Sequence, residues 1–219
     1  NGINYRAEVY LNGKKLGDIK GAFIRGEFDI TDIAKKNGEN ILAVHVYPPN
    51  NPGIPHEQSI VAGQGLNGGV LSTDGPTFIS SIGWDWIPGI RDRNTGIWQD
   101  VRLKANGAVL IGDPLVTTDV LLPDTTRAKI TIQTNIRNTS ARIVKGTLSA
   151  KIENINLSLP YTLAPNEEKL LTFSPDQFGE LEMKNPRLWW PNGYGKPELY
   201  YLELTANEGD KVSETKKIR

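Results

Sequence analysis

Cysteine is absent from the 219 residues of this chain. Its absence excludes disulfide bonds, thiolate metal sites and cysteine nucleophiles. A chain without cysteine is compatible with the cytoplasm, the periplasm and the outside of the cell.

The sequence also lacks net charge, long apolar runs and a targeting segment. Lys plus Arg and Asp plus Glu each number 25, so the formal net charge is zero. Such a chain has no broad electrostatic attraction to nucleic acid or anionic membranes, and we expect neither as a partner. No apolar stretch approaches the ~20 residues of a membrane span, and the first residues do not show the pattern expected of a signal peptide. Because the sequence begins at Asn1 without methionine, we expect a trimmed amino end, and localisation cannot be read from it.

Length and composition indicate two globular domains. The chain fits two domains of roughly 100–120 residues, each large enough to bury its own core. Hydrophobic residues make up 38% and charged residues 23%, which is ordinary for folded proteins and argues against disorder.

Period-two patterns predict strands in the first half of the chain. Ala7, Val9 and Leu11 alternate with polar neighbours, and Asn12-Gly13 follows as a hairpin turn. The other expected elements of this half are a helical turn at Ile33–Lys36, a strand buried on both faces at Ile41–Tyr47, a long loop at Pro48–Asp74 and a closing strand at Gly96–Leu103.

The second half shows about seven short strands with turn signals between them. Ile130, Ile132 and Ile136 share one parity, as do Leu148, Ala150 and Ile152. Further strand candidates are the segments around Val116–Leu122, Leu157–Leu163, Lys169–Phe173, Leu199–Ala206 and Val212–Ile218. This spacing predicts an immunoglobulin-like sandwich whose core is held by packing alone. The fold class expected for the whole chain is therefore all-β.

Catalytic motifs are missing. The sequence contains no nucleotide-binding glycine loop, no paired-histidine zinc motif and no nucleophile-elbow serine, and we expect no metal and no cofactor. His45 lies in an apolar strand and is interpreted as a packed structural residue, whereas His56 lies beside Glu57 in the long loop. His56 is either a surface residue or a hydrogen-bonding partner for a sugar. No pair of carboxylates with glycosidase geometry can be identified from spacing, so the residues alone indicate a binding or scaffolding protein.

The segment Gly83-Trp84-Asp85-Trp86-Ile87-Pro88 is the most unusual stretch. Indole rings pack against the C–H faces of sugars, and an ionised carboxylate accepts two hydroxyl hydrogen bonds. An aspartate between two tryptophans therefore supplies both contacts that sugar recognition needs. The alternative is that Trp84 and Trp86 fill the core while Asp85 caps a turn.

These residues resemble glycoside hydrolase family 2. Gly83–Pro88 and the following Asp92–Val101 are similar to the end of the family's sugar-binding jelly-roll domain. Ala7–Gly13 and Asn40–Val44 match earlier signatures of that domain, as does Phe28-Asp29-Ile30-Thr31. Asn185–Gly195, with Leu199-Tyr200 after it, resembles the motif near the end of the family's immunoglobulin-like domain. The motifs span almost the whole chain in the family's order.

The resemblance implies two β-sandwich domains, an N-terminally truncated jelly-roll domain at 1–111 and an immunoglobulin-like domain at 112–219. The family's catalytic (β/α)₈ barrel, with both catalytic glutamates, would follow and is missing, so the resemblance implies no catalytic residue here. By analogy with β-mannosidase-like members, Asp85 reaches the terminal sugar, with Trp84, Trp86 and His56 as further substrate-binding candidates. Trp189 and Trp190 are expected to pack the second sandwich and steady its join to the barrel.

The implied parent protein is a retaining exo-β-glycosidase acting at the non-reducing end of a β-linked oligosaccharide, periplasmic or secreted. The motifs lean towards β-mannosidase-like or exo-β-glucosaminidase-like members. The alternatives are an independent carbohydrate-binding module and, more remotely, a pair of protein-interaction sandwiches.

Overall fold

The computed structural model describes residues 2–21, 23–48 and 96–219. The chain divides into two compact units, Asn1–Leu103 and Lys104–Arg219, and the second unit is described throughout. The predicted domain boundary between residues 111 and 112 stays a prediction. Secondary structure in the described ranges is almost entirely strand, which confirms the all-β fold class.

The first unit contains an antiparallel sheet in which β2 (Arg6–Leu11) lies between β3 (Lys14–Lys20) and β4 (Leu42–Tyr47). Alternate residues of β2 are buried, as the period-two pattern predicts. The buried members of the unit's apolar cluster are Ile3, Ala7, Val9 and Ile19.

The Asn12-Gly13 turn is confirmed, and it also fastens a neighbouring loop. Both residues have positive φ, 52° and 80°, which suits a two-residue hairpin whose flanking residues pair directly. The Asn12 side-chain oxygen accepts a hydrogen bond from the Ile41 N–H at 3.0 Å, and the Asn12 N–H donates to the Ile41 carbonyl at 2.9 Å. The Asn12 amide group donates to Asn40 Oδ1 at 2.9 Å.

The short turn between β3 and β4 lies earlier than expected. The N–H groups of Ile33 and Ala34 donate to the Ile30 carbonyl, so the turn begins at Ile30. It ends before Lys36 because Asn40 Oδ1 accepts a hydrogen bond from the Lys35 N–H at 2.8 Å. The helical turn predicted at Ile33–Lys36 was therefore displaced.

The expectation that Ile41–Tyr47 is buried on both faces was wrong. Val44 and Val46 pack against the apolar cluster, but Ile41 is 63% exposed and Leu42 44% exposed. His45, on the opposite face, is also exposed, which contradicts its packed interpretation. Among the described residues, β4 pairs with β2 alone, and an apolar run does not specify what will cover it.

A second small sheet joins the two ends of the first unit. In it, β1 (Ile3–Asn4) pairs with β5 (Gly96–Ile97), and the Trp98 N–H donates to the Gly2 carbonyl at 2.8 Å. The strand predicted over Gly96–Leu103 was wrong beyond Ile97. Its later apolar residues are exposed, so no buried face rewards continued pairing there.

The second unit is a two-sheet sandwich. Its strands are β6 (Val109–Ile111), β7 (Leu115–Asp119), β8 (Arg127–Asn138), β9 (Val144–Ile152), β10 (Ile155–Leu163), β11 (Glu168–Phe173), β12 (Glu182–Lys184), β13 (Leu202–Glu208) and β14 (Lys211–Ile218). In one sheet β8 is central, and the pairing registers place β6 and β7 along one edge of it and β11 and β12 along the other. The other sheet has the order β10–β9–β13–β14. A 3₁₀ turn, Gly179–Leu181, precedes β12.

The core of this sandwich follows the predicted parity. Along β8 every second residue is buried, and β9 places Leu148, Ala150 and Ile152 against it. Phe173 and Leu204 are also fully buried in the same cluster. The predicted strands of the second half are therefore confirmed, except at two ends. The strand predicted around Val116–Leu122 ends at Asp119, and the one predicted around Leu199–Ala206 begins at Leu202. Leu122 and Leu199 are exposed, so no buried face rewards further pairing there, and the two sheets form a sandwich held by packing.

Side chains of β14 complete the hydrogen bonding of β6. Ser213 Oγ accepts from the Val109 N–H at 2.8 Å and donates to the Val109 carbonyl at 2.9 Å. Glu214 Oε2 accepts from the Ile111 N–H at 2.5 Å, and Lys216 donates to the Ile111 carbonyl at 3.3 Å. Buried backbone groups need partners, so these three side chains replace a backbone ladder and close this edge.

Candidate functional site

The sugar-contact residues predicted from the sequence are Asp85, Trp84, Trp86 and His56, and all four lie outside the described residues. The polar turn Asp92–Asn94 lies outside them as well. The described chain resumes at Gly96, eleven residues after Asp85, where Gly96 and Ile97 pair with Asn4 and Ile3. That pairing holds Gly96 and Ile97 beside the core of the first unit, because Ile3 belongs to its apolar cluster.

Glu8 is the centre of a polar network on the outer face of the β3–β2–β4 sheet. Its Oε1 accepts a hydrogen bond from Lys15 at 2.6 Å, and its Oε2 accepts from Tyr47 at 2.8 Å and Tyr10 at 2.9 Å. These contacts arise because Glu8 alternates with the buried Ala7 and Val9 and therefore points away from the core.

Hydrogen bonding sets the charge state of this network. The Lys15, Tyr47 and Tyr10 hydrogen bonds lower the pKa of Glu8 to about 2. In return the carboxylate raises the pKa of Lys15 and of both tyrosines. Glu8 is thus a fixed carboxylate with its bonds satisfied, unsuited to donating a proton near neutral pH.

His45 lies at the edge of this network, too far from Glu8 for a hydrogen bond. Its Nδ1 lies 4.0 Å from Glu8 Oε2, and its ring centroid lies 4.3 Å from that of Tyr47. Alternation alone already placed Glu8 and Tyr10 on one face. Their convergence with Tyr47 could not be foreseen, since it depends on the register between β2 and β4.

Trp189 and Trp190 do not fill the second sandwich, contrary to expectation. They are 57% and 45% exposed, and they lie in the connection between β12 and β13. The Trp190 ring packs on its own loop, since a Cβ added to Gly195 would lie 2.7 Å from ring atoms. An aromatic side chain in a proline- and glycine-rich connection need not enter the core, and the motif gave no signal of its direction.

Arg187 anchors this connection, and sequence reasoning did not single it out. Its guanidinium donates to Glu153 at 2.7 Å and to Glu198 at 3.2 Å, and it lies 4.3 Å from the Tyr200 ring centroid. Its backbone N–H donates to the Tyr200 hydroxyl at 2.7 Å. The only sequence signal was its place inside the quoted Asn185–Gly195 motif.

The described part of the chain carries neither a metal-binding cluster nor a membrane-spanning helix. The described ranges contain no group of three or more His, Cys, Asp or Glu residues arranged to hold a metal ion. In the same part of the chain, no helix is long and apolar enough to span a membrane.

Comparisons with known proteins match both halves of the chain. Residues 1–99 match a family profile described as the glycosyl hydrolase 2 galactose-binding domain-like, and residues 109–219 match the profile of glycosyl hydrolases family 2.

Curated relatives and solved structures agree with these profiles. The chain is 37% identical to the mannosylglycoprotein endo-β-mannosidase of Lilium longiflorum, over 93% of this chain and 21% of that protein. It is 29% identical to an exo-β-D-glucosaminidase of Streptomyces avermitilis, over 98% of this chain and 21% of that protein. A solved complex of the Amycolatopsis orientalis exo-chitosanase CsxA with PNP-β-D-glucosamine matches the whole chain and 22% of its own, with 27% identity and a TM-score of 0.75.

Proposed function

Because this chain belongs to glycosyl hydrolases family 2, we propose that it is the non-catalytic amino-terminal portion of a retaining exo-β-glycosidase. The observation that carries the proposal is the ordered match of one family profile to residues 1–99 and another to 109–219. The chain spans about a fifth of the length of the curated relatives that it matches. The family that this chain resembles carries its catalytic barrel in the part of the protein that the chain does not span.

The chemistry of the described carboxyl groups supports a catalytic centre elsewhere. Retaining hydrolysis needs two carboxyl groups ~5–5.5 Å apart, one of them a general acid with a raised pKa. Among the described residues, every carboxyl group with a resolved shift has a lowered pKa, because each accepts hydrogen bonds. These groups are Glu8, Asp29, Asp124, Glu203 and Glu208.

The proposed contribution to substrate binding rests on the Trp84-Asp85-Trp86 segment. In the proposal, Asp85 accepts hydroxyl hydrogen bonds from the non-reducing sugar, and Trp84 or Trp86 packs against its C–H face. What supports this role is the resemblance of Gly83–Pro88 to the family's motif, within the residues 1–99 that match the galactose-binding domain-like profile.

Asp85→Asn in the intact polypeptide tests this role. A hydrogen bond to a charged group is worth about 1.5–3 kcal/mol, so kcat/KM on the preferred aryl β-glycoside should fall about 10- to 150-fold. Asp100→Asn is the matched control, because Asp100 forms an exposed ion pair with Arg102 at 2.9 Å. Equal kcat/KM for the Asp85 variant and the wild type would remove Asp85 from the site.

Product analysis separates exo from endo action. The lily relative carries an endo name and the Streptomyces relative an exo name. The proposal expects release of single sugars from the non-reducing end of a reducing-end-labelled oligosaccharide. Internal cleavage products at early times would reject exo action, although the proposal of a β-glycosidase would stand.

Calorimetric titration of the 219-residue chain with mannose, galactose, glucosamine and oligosaccharides distinguishes the alternative. The proposal expects no binding, because the barrel must complete the site. Saturable binding that Asp85→Ala abolishes would favour an independent carbohydrate-binding module.

A further inference from the structure

One end of the second unit carries a concentration of exposed aromatic and apolar side chains. They lie on the long connection between β12 and β13, a segment without regular strand structure. We call them the aromatic end, and they are Trp189, Trp190, Tyr194, Leu199 and Tyr201, with exposures of 57%, 45%, 80%, 41% and 63%. Aromatic residues are enriched at interface cores, and grouped exposure of this kind marks interaction surfaces.

The pairing registers locate this end within the sandwich. β13 begins at Leu202, which pairs with Ile218 at the end of β14. The Asn185 N–H donates to the Thr126 carbonyl at 2.6 Å, which places the start of the connection beside the start of β8. The last strand of the unit therefore finishes at the same end as the aromatic residues.

Arg187 closes the connection into a loop. Its contacts to Glu198 and Tyr200 join the beginning of the connection to its end, and its contact to Glu153 joins both to the β9–β10 turn. Its guanidinium also donates to the Leu199 carbonyl at 3.4 Å. A planar guanidinium can satisfy several acceptors in fixed directions, which lysine cannot do.

Within the loop, a small hairpin fixes the two tryptophans. The Trp190 N–H donates to the Lys196 carbonyl at 3.0 Å, and Trp189 forms a β-bridge with Pro197. Gly193 has a φ of 86°, which suits a tight turn. The aromatic end is thus held in shape before anything binds it.

We propose that Arg187 is a positioning residue that presents the aromatic end, preformed, to the part of the parent polypeptide that this chain does not span. The inference rests on the proposed function, which supplies that occupant. Two observations favour it over other occupants: β14 ends at this end of the unit, and the matched relatives are about five times as long as this chain. Preorganisation removes the ordering cost that a loose aromatic loop would bring to docking.

Hydroxyl-radical footprinting tests the docking. Oxidation of Trp189, Trp190 and Tyr194 is measured in the 219-residue chain and in the intact polypeptide. Docking predicts a fall in oxidation of about tenfold or more in the intact protein, since an interface core excludes water. Exposed Ile143 and Val212, which lie near the opposite end, serve as internal references and should change little. Equal oxidation of the aromatic end in both proteins would overturn the proposal.

Arg187 variants in the intact polypeptide test the positioning role. Arg187→Met should restore most of the oxidation of the aromatic end, and Arg187→Lys should restore only part of it because charge alone is retained. The matched control is Arg142→Met, because Arg142 forms a comparable exposed ion pair with Glu208. A purely structural role predicts equal protection in all three variants once folding is verified by far-UV circular dichroism, and that result would overturn the assignment.

The outcomes separate this inference from the proposed function. Protection without any glycosidase activity in the intact polypeptide would reject the proposed function and keep the docking. Glycosidase activity without protection of the aromatic end would keep the proposed function and reject the docking. Concentration-dependent self-association of the 219-residue chain that Trp190→Ala abolishes would identify a second copy as the occupant and overturn docking on the rest of the parent polypeptide.

Discussion

Gly146→Ala is predicted to destabilise the second unit through one crowded position on β9. Gly146 lies between Tyr161 of β10 and Glu208 of β13 in the register. The buried Tyr161 hydroxyl passes over Gly146 and donates to the Asn207 carbonyl at 3.0 Å. A Cβ at position 146 would overlap the Asn207 carbonyl and lie 2.8 Å from the Tyr161 hydroxyl.

The expected cost follows from three contributions. Overpacking costs about 1–3 kcal/mol, and the displaced hydrogen bond about 1 kcal/mol. Replacing glycine returns about 0.4–1 kcal/mol by restricting the unfolded chain. The net loss is about 1–4 kcal/mol, a large share of the ~5–15 kcal/mol that stabilises a typical domain.

Native-state hydrogen exchange measures this loss in the whole chain. Peptides covering β9 and β13 report the unfolding free energy of the second unit, independently of the first. Gly179→Ala is the matched control, since no atom lies within 4 Å of an added Cβ there, and it should be neutral or slightly stabilising. If Gly146→Ala costs no more than Gly179→Ala, the close approach of Tyr161 and Asn207 is refuted.

Two further predictions concern the first unit. Glu8→Gln should weaken the pH dependence of the first unit's stability at acid pH. The pKa of the Glu8 carboxyl falls from 4.5 to about 2 on folding, so the stabilisation from the carboxylate is complete above pH 4.5 and is lost as pH falls towards 2. Acid titration followed by circular dichroism tests this, and an unchanged curve would contradict it. Asn12→Ala should cost about 2 kcal/mol, and Asn12→Gly about 1 kcal/mol, because glycine keeps the positive φ and loses only the side-chain hydrogen bonds. Hydrogen exchange of the β2 and β3 amides measures the loss of unfolding free energy in both variants. Equal losses in the two variants would contradict a contribution from the positive φ of residue 12.

Alternation predicted the strands that have one buried face. The parity of Ile130, Ile132 and Ile136 and that of Leu148, Ala150 and Ile152 specify which face is covered, and both were confirmed. A half-buried strand reveals its orientation because a one-residue slip would expose every apolar side chain.

Apolar patterns that are continuous or sparse predicted strand burial and strand length less well than alternating ones. Ile41–Tyr47 is apolar on both parities, yet its neighbours cover one face only. In Gly96–Leu103 the apolar residues are present, but pairing ends at Ile97. Both errors have the same cause. The local sequence shows which side chains could be buried, but tertiary contacts determine which of them are buried.

The candidate surfaces depended on contacts between distant segments. Glu8 meets Tyr47 across 39 residues, and Arg187 meets Glu153 across 34. Neither spacing has a local signature. By contrast, the Trp84-Asp85-Trp86 segment is recognisable by resemblance alone, and its role in sugar binding stays a prediction.

Turnover of aryl β-glycosides is the most direct test of the central claim that this chain is the non-catalytic part of a β-glycosidase. The 219-residue chain and the intact polypeptide are compared on β-mannoside, β-glucosaminide, β-galactoside and β-glucuronide substrates. We expect saturable hydrolysis of at least one substrate by the intact polypeptide and none by the chain alone. Saturable turnover by the purified chain would contradict the claim.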